Sequence, residues 1–273
     1  TEEVHLNNVI DIKHEIVRET LKYLNICRPL EISSMADLSA GTGMGSSSSY
    51  TVGLLQGINQ MLRRHIPLQD IAEEACKIEI QLIGKPIGKQ DQYAATFGGI
   101  MSMEIDHSGH VKCLPLDLEQ EVIYEMENRM LMFYTGIQRD ANIILQEQSD
   151  KAKVSESATS EAMHKIKQIG FDIQKSMVSG NLDDVGRLIH THWTTKKSIS
   201  TKMSDPNIDL WYELGMKNGA LGGKIMGAGG GGFMLFFAKN GSRKKLRSAM
   251  EAAGLKYMDF RFDFEGVKTM ANL

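Results

Sequence analysis

The sequence predicts a mixed α and β fold, and three kinds of observation support that expectation. Apolar residues recur at helical spacing, as at Val9, Ile12 and Ile16 beside Ile10, Val17, Leu21 and Leu24 near the start. Short apolar runs closed by glycine or turn residues read as strands, 130–134 and 233–238 being the clearest. Glycine-rich stretches at 41–45 and 227–232 stand at the junctions between such elements. With 273 residues the chain can bury a good core and holds one large or two modest domains.

The elements follow in order. The first amphipathic helix precedes a strand-like run at 30–35, which leads into Asp37-Leu38-Ser39-Ala40-Gly41-Thr42-Gly43-Met44-Gly45-Ser46-Ser47-Ser48-Ser49. A helical pattern over about 47–63 leaves that loop. Ile66-Pro67-Leu68 turns the chain, and a helix over 69–83 carries Glu73, Glu74 and Glu79 before Gly84 ends it. The loop Gly84-Lys85-Pro86-Ile87-Gly88-Lys89 enters a short helix at Gln90-Asp91-Gln92-Tyr93, which Gly98-Gly99 breaks. Runs at 100–105 and 111–116 form a hairpin around His107-Ser108-Gly109-His110. Thr135-Gly136 closes the strand at 130–134, and the pattern then turns mostly helical, at about 141–148, 157–178, 182–198 and 208–217. The domain change is therefore placed there, giving domains 1–135 and 136–273. Glycine-rich residues 219–232, a buried strand at 233–238, a helix at 242–253 and a strand at 255–264 complete the chain.

Composition narrows the function. A net charge of −3 without a lysine/arginine stripe gives no field for nucleic acid. No apolar run approaches a membrane span and no signal-peptide pattern opens the sequence, so no membrane partner is expected. Cys27, Cys76 and Cys113 are far apart and lack C-x-x-C spacing, which suits reduced thiols in a cytoplasmic protein. His190 and His192, two apart on a helix, do not share a face and make a poor zinc pair. The seventeen methionines suit adaptable core filling better than a cofactor. Homo-oligomerisation is compatible with the sequence, which does not set the state.

The loop at 41–49 carries the strongest chemical signal. Glycines at alternate positions allow positive φ and close approach of a ligand to the main chain. The serines fall on the first helical turn, where unpaired N–H groups and the helix dipole attract an anion. That design suits a polyphosphate; the competing reading is a Gly/Ser linker. The Walker form is absent, because Ser46 stands where a lysine would follow the glycines. Gly227-Ala228-Gly229-Gly230-Gly231-Gly232 formally satisfies G-x-G-x-x-G, but a strand follows it where a dinucleotide site needs a helix. So many glycines exceed what a hairpin turn requires and favour close backbone approach to a ligand. Asp91 read alone would be a helix cap, and Glu79 read alone an exposed helical glutamate.

These motifs together resemble the GHMP kinases, the superfamily of galactokinase, homoserine kinase, mevalonate kinase and phosphomevalonate kinase. Their loop reads P-x-x-x-G-[LM]-G-S-S-[AS]; Ser39 stands at the proline. The glycine run at 227–232 is similar to their third motif, K-x-x-G-A-G-x-G-G, and Asp91 to the aspartate of G-x-x-D-Q/N, which faces the acceptor hydroxyl. The resemblance implies a two-domain α+β fold, with a ribosomal-protein-S5-like N-terminal domain and a ferredoxin-like C-terminal domain. The family's N-terminal strands, with a basic substrate-site residue, are not found ahead of the first helix.

What the resemblance implies for the site is specific. ATP would rest on Gly41, Gly43, Met44, Gly45, Ser46, Ser47 and Ser48. Mg²⁺ would be held by Ser47 and Glu79, which lies twelve residues before Asp91. Asp91 would orient or deprotonate the acceptor. Thr135, Gly136, Arg139, Gly229 and Gly230 would line the substrate; Arg139 suits a sugar-borne phosphate, a solvated arginine being the equal alternative. The segments 90–99 and 134–145 are similar to those of sugar kinases that phosphorylate D-glycero-D-manno-heptose 7-phosphate at its anomeric hydroxyl, for surface glycans. A small sugar phosphate is the expected partner. Fucokinases share similar segments, and a galactokinase-like enzyme, a non-catalytic sugar- or ATP-binding relative or a structural fragment are the alternatives.

Overall fold

The computed structural model describes residues 8–38, 41–137, 158–199 and 203–271. They sort into two compact units. The first takes its described residues from Thr1–Ala40, Gly45–Cys113 and Asp263–Leu273, the second from Gly41–Met44 and Leu114–Phe262.

The first unit is mainly helical. A 3₁₀ turn at Val9–Asp11 precedes α1 (Glu15–Tyr23), α2 (Ser46–Met61), α3 (Leu68–Cys76) and α4 (Gln90–Phe97). The amphipathic start is thus not one helix. His14 caps α1, and Arg18 Nη1 donates to Ile12 O at 2.6 Å, which holds residues between the turn and the helix extended. Val17, Leu21 and Leu24 still reach the core, meeting Val52, Leu55 and Ile58 of α2 and Ile71 and Ala75 of α3. The apolar run at 30–35 forms no strand; Leu30 and Ile32 instead pack against that same core. Helix α3 continues into a π-helical turn, Lys77–Leu82, within the single helix expected from the spacing. The strands β1 (Met101–Ile105) and β2 (Val111–Pro115) pair as the hairpin read from the sequence. Its turn is tied by Asp106 Oδ1, which accepts from Ser108 N at 2.8 Å and His110 N at 3.1 Å.

The second unit is a four-stranded antiparallel sheet with helices. Its elements are α5 (Gln120–Arg129), β3 (Met130–Tyr134), α6 (Ala158–Val178), α7 (Leu182–Lys197), α8 (Pro206–Lys217), β4 (Ala220–Ile225), β5 (Phe233–Ala238), α9 (Arg243–Ala252) and β6 (Lys256–Met258). The strand order is β4-β5-β3-β6, with helices between β3 and β4 and between β5 and β6, which is the ferredoxin-like arrangement expected. Every residue of β5 is buried, as its unbroken apolar run requires of a central strand. Leu131, Phe133, Trp193, Ile208, Phe236, Leu246 and Met250 fill the core. The last strand is shorter than its apolar pattern suggests, because beyond it the Phe262 amide donates to the Glu127 carboxylate at 2.9 Å instead of to a neighbouring strand. The helix expected at 141–148 lies outside the described residues.

Helix α7 lies directly on β4 because two glycines meet there. A Cβ on Gly222 would stand 2.1 Å from Gly186 O and 2.6 Å from His190 N, both rigid main chain. Gly222→Ala should therefore lower stability by at least the ~1–3 kcal/mol typical of overpacking. Gly57→Ala, mid-helix in α2 with nothing within 4 Å of the added carbon, should instead raise it by roughly 0.5–1 kcal/mol. Denaturant unfolding of the two variants beside the parent checks both signs.

Candidate active site

The glycines of the loop adopt the conformations their spacing suggested. Gly41, Gly43 and Gly45 have φ of 79°, 77° and 68°. Gly45 is the N-cap of α2 and, lacking a side chain, leaves the N–H groups of Ser46, Ser47 and Ser48 without a capping acceptor. A sixteen-residue helix thus opens on free donors at its positive end. Ser39 and Ala40 lie outside the described residues.

Glu79 is fully buried, in the π-helical turn after α3. Such turns recur at functional sites. Ser47 Oγ donates to its Oε1, and Gln92 Nε2 donates to its Oε2 at 2.8 Å. Lys85 Nζ reaches both Ser47 Oγ, at 2.7 Å, and Glu79 Oε1, at 3.3 Å. The rival glutamates stand apart from this set. Glu73 is engaged by Lys89 at 2.8 and 3.0 Å and by the Tyr93 hydroxyl at 2.5 Å. Lys85 and Gln92 escaped sequence reasoning as site residues. Gln92 lies inside the sequence motif that carries Asp91. Lys85 follows a turn at Gly84, where φ is 83°, and its amide donates to Glu79 O at 3.0 Å.

Asp91 is the second residue of α4, whose N-cap is Lys89 without a side-chain cap bond, so Asp91 is not the helix cap. A Cβ on Gly45 would lie 3.3 Å from Asp91 Cβ and Cγ, which places the carboxylate against the glycine that opens α2. Asp91 as a whole residue is exposed. Burial of its carboxyl against the protein raises it above the ordinary carboxylate range, and the charge of Glu79 raises it further. The first unit thus gathers Gly45, Ser47, Glu79, Lys85, Asp91 and Gln92.

In the second unit the glycine run folds as a tight loop, with positive φ at Gly227, Gly229, Gly230, Gly231 and Gly232. Residues 42–43 rest on it: a Cβ on Gly43 would come 2.9 Å from Met226 O, and one on Gly232 would come 2.2 Å from Thr42 O. Thr135 is joined to the loop by its amide, 2.9 Å from Gly232 O, and by its hydroxyl, 2.8 Å from the same oxygen. Gly230 N donates to Met203 O at 2.8 Å, and Gly229 also lies against Met203. Gly136 has φ of 75° in open space, and Arg139 lies outside the described residues.

Among the described residues no three His, Cys, Asp or Glu side chains form a metal-binding group, and no helix is long and apolar enough to cross a membrane. Residues 11–99 match the GHMP kinases N terminal domain, and residues 173–256 match the GHMP kinases C terminal model. A D-glycero-alpha-D-manno-heptose 7-phosphate kinase from Campylobacter jejuni is 34% identical over 260 residues, 94% of this chain and 75% of that protein. A crystal structure described as a D-glycero-D-manno-heptose 1-phosphate kinase from Bacteroides thetaiotaomicron superposes with a TM-score of 0.70 at 25% identity, covering 92% of this chain and 71% of that one. The L-fucokinase/L-fucose-1-P guanylyltransferase of Bacteroides fragilis is more distant, 28% identical over 77% of this chain and 22% of its own length. On these matches the chain belongs to the GHMP kinases.

Proposed function

We propose that this GHMP kinase transfers the γ-phosphoryl group of ATP to the anomeric hydroxyl of D-glycero-D-manno-heptose 7-phosphate. The observation that carries the reaction type is the placing of the Asp91 carboxylate against Gly45, at the opening of an uncapped helix, with Ser47 and buried Glu79 beside it. The 34% identity with the Campylobacter jejuni enzyme carries the choice of acceptor.

The N–H groups of Ser46 to Ser48 and the backbone at Gly41, Gly43, Met44 and Gly45 hold the donor phosphates, where the helix dipole favours negative charge. Ser47 and Glu79 present hard oxygens suited to Mg²⁺, and the Lys85 ammonium lying on both oxygens is evidence that this pair attracts a cation. Bound there, the metal would supply neutralisation of phosphate charge. Gln92 fixes the second Glu79 oxygen and so keeps the carboxylate aimed at Ser47. Asp91 orients the acceptor hydroxyl and takes its proton; its raised pKa makes it a better proton acceptor than an ordinary carboxylate. Thr135, Gly136, Arg139, Gly229 and Gly230 are assigned to the acceptor on family resemblance.

Three measurements test this reading. Offered heptose 7-phosphate, fucose, galactose and mevalonate, each with ATP, the enzyme should turn over the first fastest; turnover confined to galactose or mevalonate overturns the acceptor but not the kinase. Asp91→Asn should lower kcat by roughly 10²-fold or more, the scale of general-base catalysis, with ATP affinity and melting temperature nearly unchanged. An unaltered rate removes Asp91 from the mechanism. Gly45→Val would force a branched side chain into a left-handed conformation and against Asp91, so the folded variant should bind ATP at least about tenfold more weakly in an equilibrium titration.

A further inference from the structure

The second unit holds a pair of lysines that the reaction scheme above leaves unused. Lys196 lies in the last turn of α7 and Lys224 near the end of β4. The register of helix on strand brings them together. Gly222 touches the main chain at Gly186 and His190, and further along Lys196 Nζ donates to Gly227 O at 3.0 Å. Lys224 sits between those two contacts and, two residues on from Gly222, on the same face of β4. His192, one helical turn before Lys196, completes the cluster.

No carboxylate among the described residues answers these charges. Among the described residues neither lysine forms an ion pair; the Lys196 ammonium has the Gly227 carbonyl alone, and the Lys224 ammonium has no hydrogen-bond partner. Burial pushes the Lys196 ammonium down to about 8, and repulsion from Lys224 adds to the shift. Burial lowers Lys224 as well. His192 is brought down to about 4 by burial first and then by both lysines, so it is neutral at pH 7, and its buried Nδ1 has no hydrogen-bond partner. Two partly buried cations without a counter-charge among the described residues are costly, and an anion would relieve that cost.

We propose that Lys196 and Lys224, with His192 beside them, form a receptor for a phosphate group carried by a ligand. Two ammonium groups match the charge of a phosphate dianion, and lysine binds phosphate as a compact point charge. Through Gly227 the pair adjoins residues 42–43, since Gly227 lies against the main chain of Gly43. The kinase reading supplies two sources of phosphate, the nucleotide and the acceptor sugar, and the receptor rests on that reading only for which of them it takes.

The test is calorimetric titration of the parent, Lys196→Met, Lys224→Met and Lys196→Arg with inorganic pyrophosphate, ATP, heptose 7-phosphate and unphosphorylated heptose. Each methionine variant should bind at least one phosphate-bearing probe about 10-fold or more weakly, as loss of a charged hydrogen bond implies, while Lys196→Arg keeps most of the affinity. Loss confined to ATP assigns the receptor to the nucleotide. Loss confined to heptose 7-phosphate, with unphosphorylated heptose unaffected, assigns it to the acceptor. Parent binding of pyrophosphate that both methionine variants lose, without binding of ATP or sugar phosphate, supports the receptor and overturns the kinase reading. Methionine variants that bind every probe like the parent, or a parent that binds none, overturn the receptor. On the parent alone, the bound probe should slow acylation of Lys196 and Lys224 by a succinimidyl ester, read by mass spectrometry. Unchanged labelling of both lysines overturns the proposal even if the variants fail to fold.

Discussion

Burying the carboxylate of Glu79 sets a condition that the first unit is arranged to meet. An ionised group away from water must be paired and hydrogen-bonded, or folding loses several kcal/mol. Three separate segments answer it: Ser47 from the start of α2, Lys85 from the turn after Gly84, and Gln92 from α4. Meeting the condition also bears on where Asp91 stands. Gln92 anchors α4 beside Glu79, and the preceding residue, Asp91, is thereby held against Gly45. Stability alone is a weak reason for this arrangement, since apolar replacements of buried ion pairs are often neutral or stabilising. The metal site proposed for Ser47 and Glu79, next to a helix whose N-cap Gly45 supplies no side-chain acceptor, is a better one.

Much of this could be read from the chain because the relevant signals are local. Alternate glycines ahead of a serine-rich helix start fix backbone conformation within a few residues, and all three described loop glycines take positive φ. The run Phe233-Met234-Leu235-Phe236-Phe237 has no polar face to offer water, and it lies fully buried as β5. The π-helical turn at Lys77–Leu82 was not legible, since its apolar spacing over so short a span passes for α-helix. Nor was the break before Glu15, where an arginine-to-carbonyl bond overrides an amphipathic pattern. Lys85 was invisible for a different reason: its role comes from reaching Ser47, 38 positions earlier in the chain.

The two units are also not simple halves of the sequence. Gly41–Met44 belong with the second unit while Gly45 begins the next stretch of the first. Within the second, residues 42–43 lie against Met226, Gly227 and Gly232 closely enough that side chains at Gly43, Gly227 or Gly232 would collide with main chain. The glycine loops at 41–45 and 227–232 are therefore coupled sterically through residues 42–43. A motif search sees two glycine-rich strings; the contacts explain why each of them needs its glycines.

The lysine pair shows the same logic acting on charge. A net charge of −3 and the lack of a basic stripe describe the chain as a whole and argue against a polyanion such as nucleic acid. They say nothing about a single phosphate, for which two cations at one point suffice. Lys196 and Lys224 are 28 positions apart, and of their direct neighbours in the chain only Lys197 is basic. What joins them is the absence of side chains at Gly186 and Gly222, which lets α7 settle on β4 and bring its last turn level with the end of the strand. Small residues permit the approach, the approach concentrates the charge, and that charge, without a carboxylate partner among the described residues, is what the proposed receptor rests on.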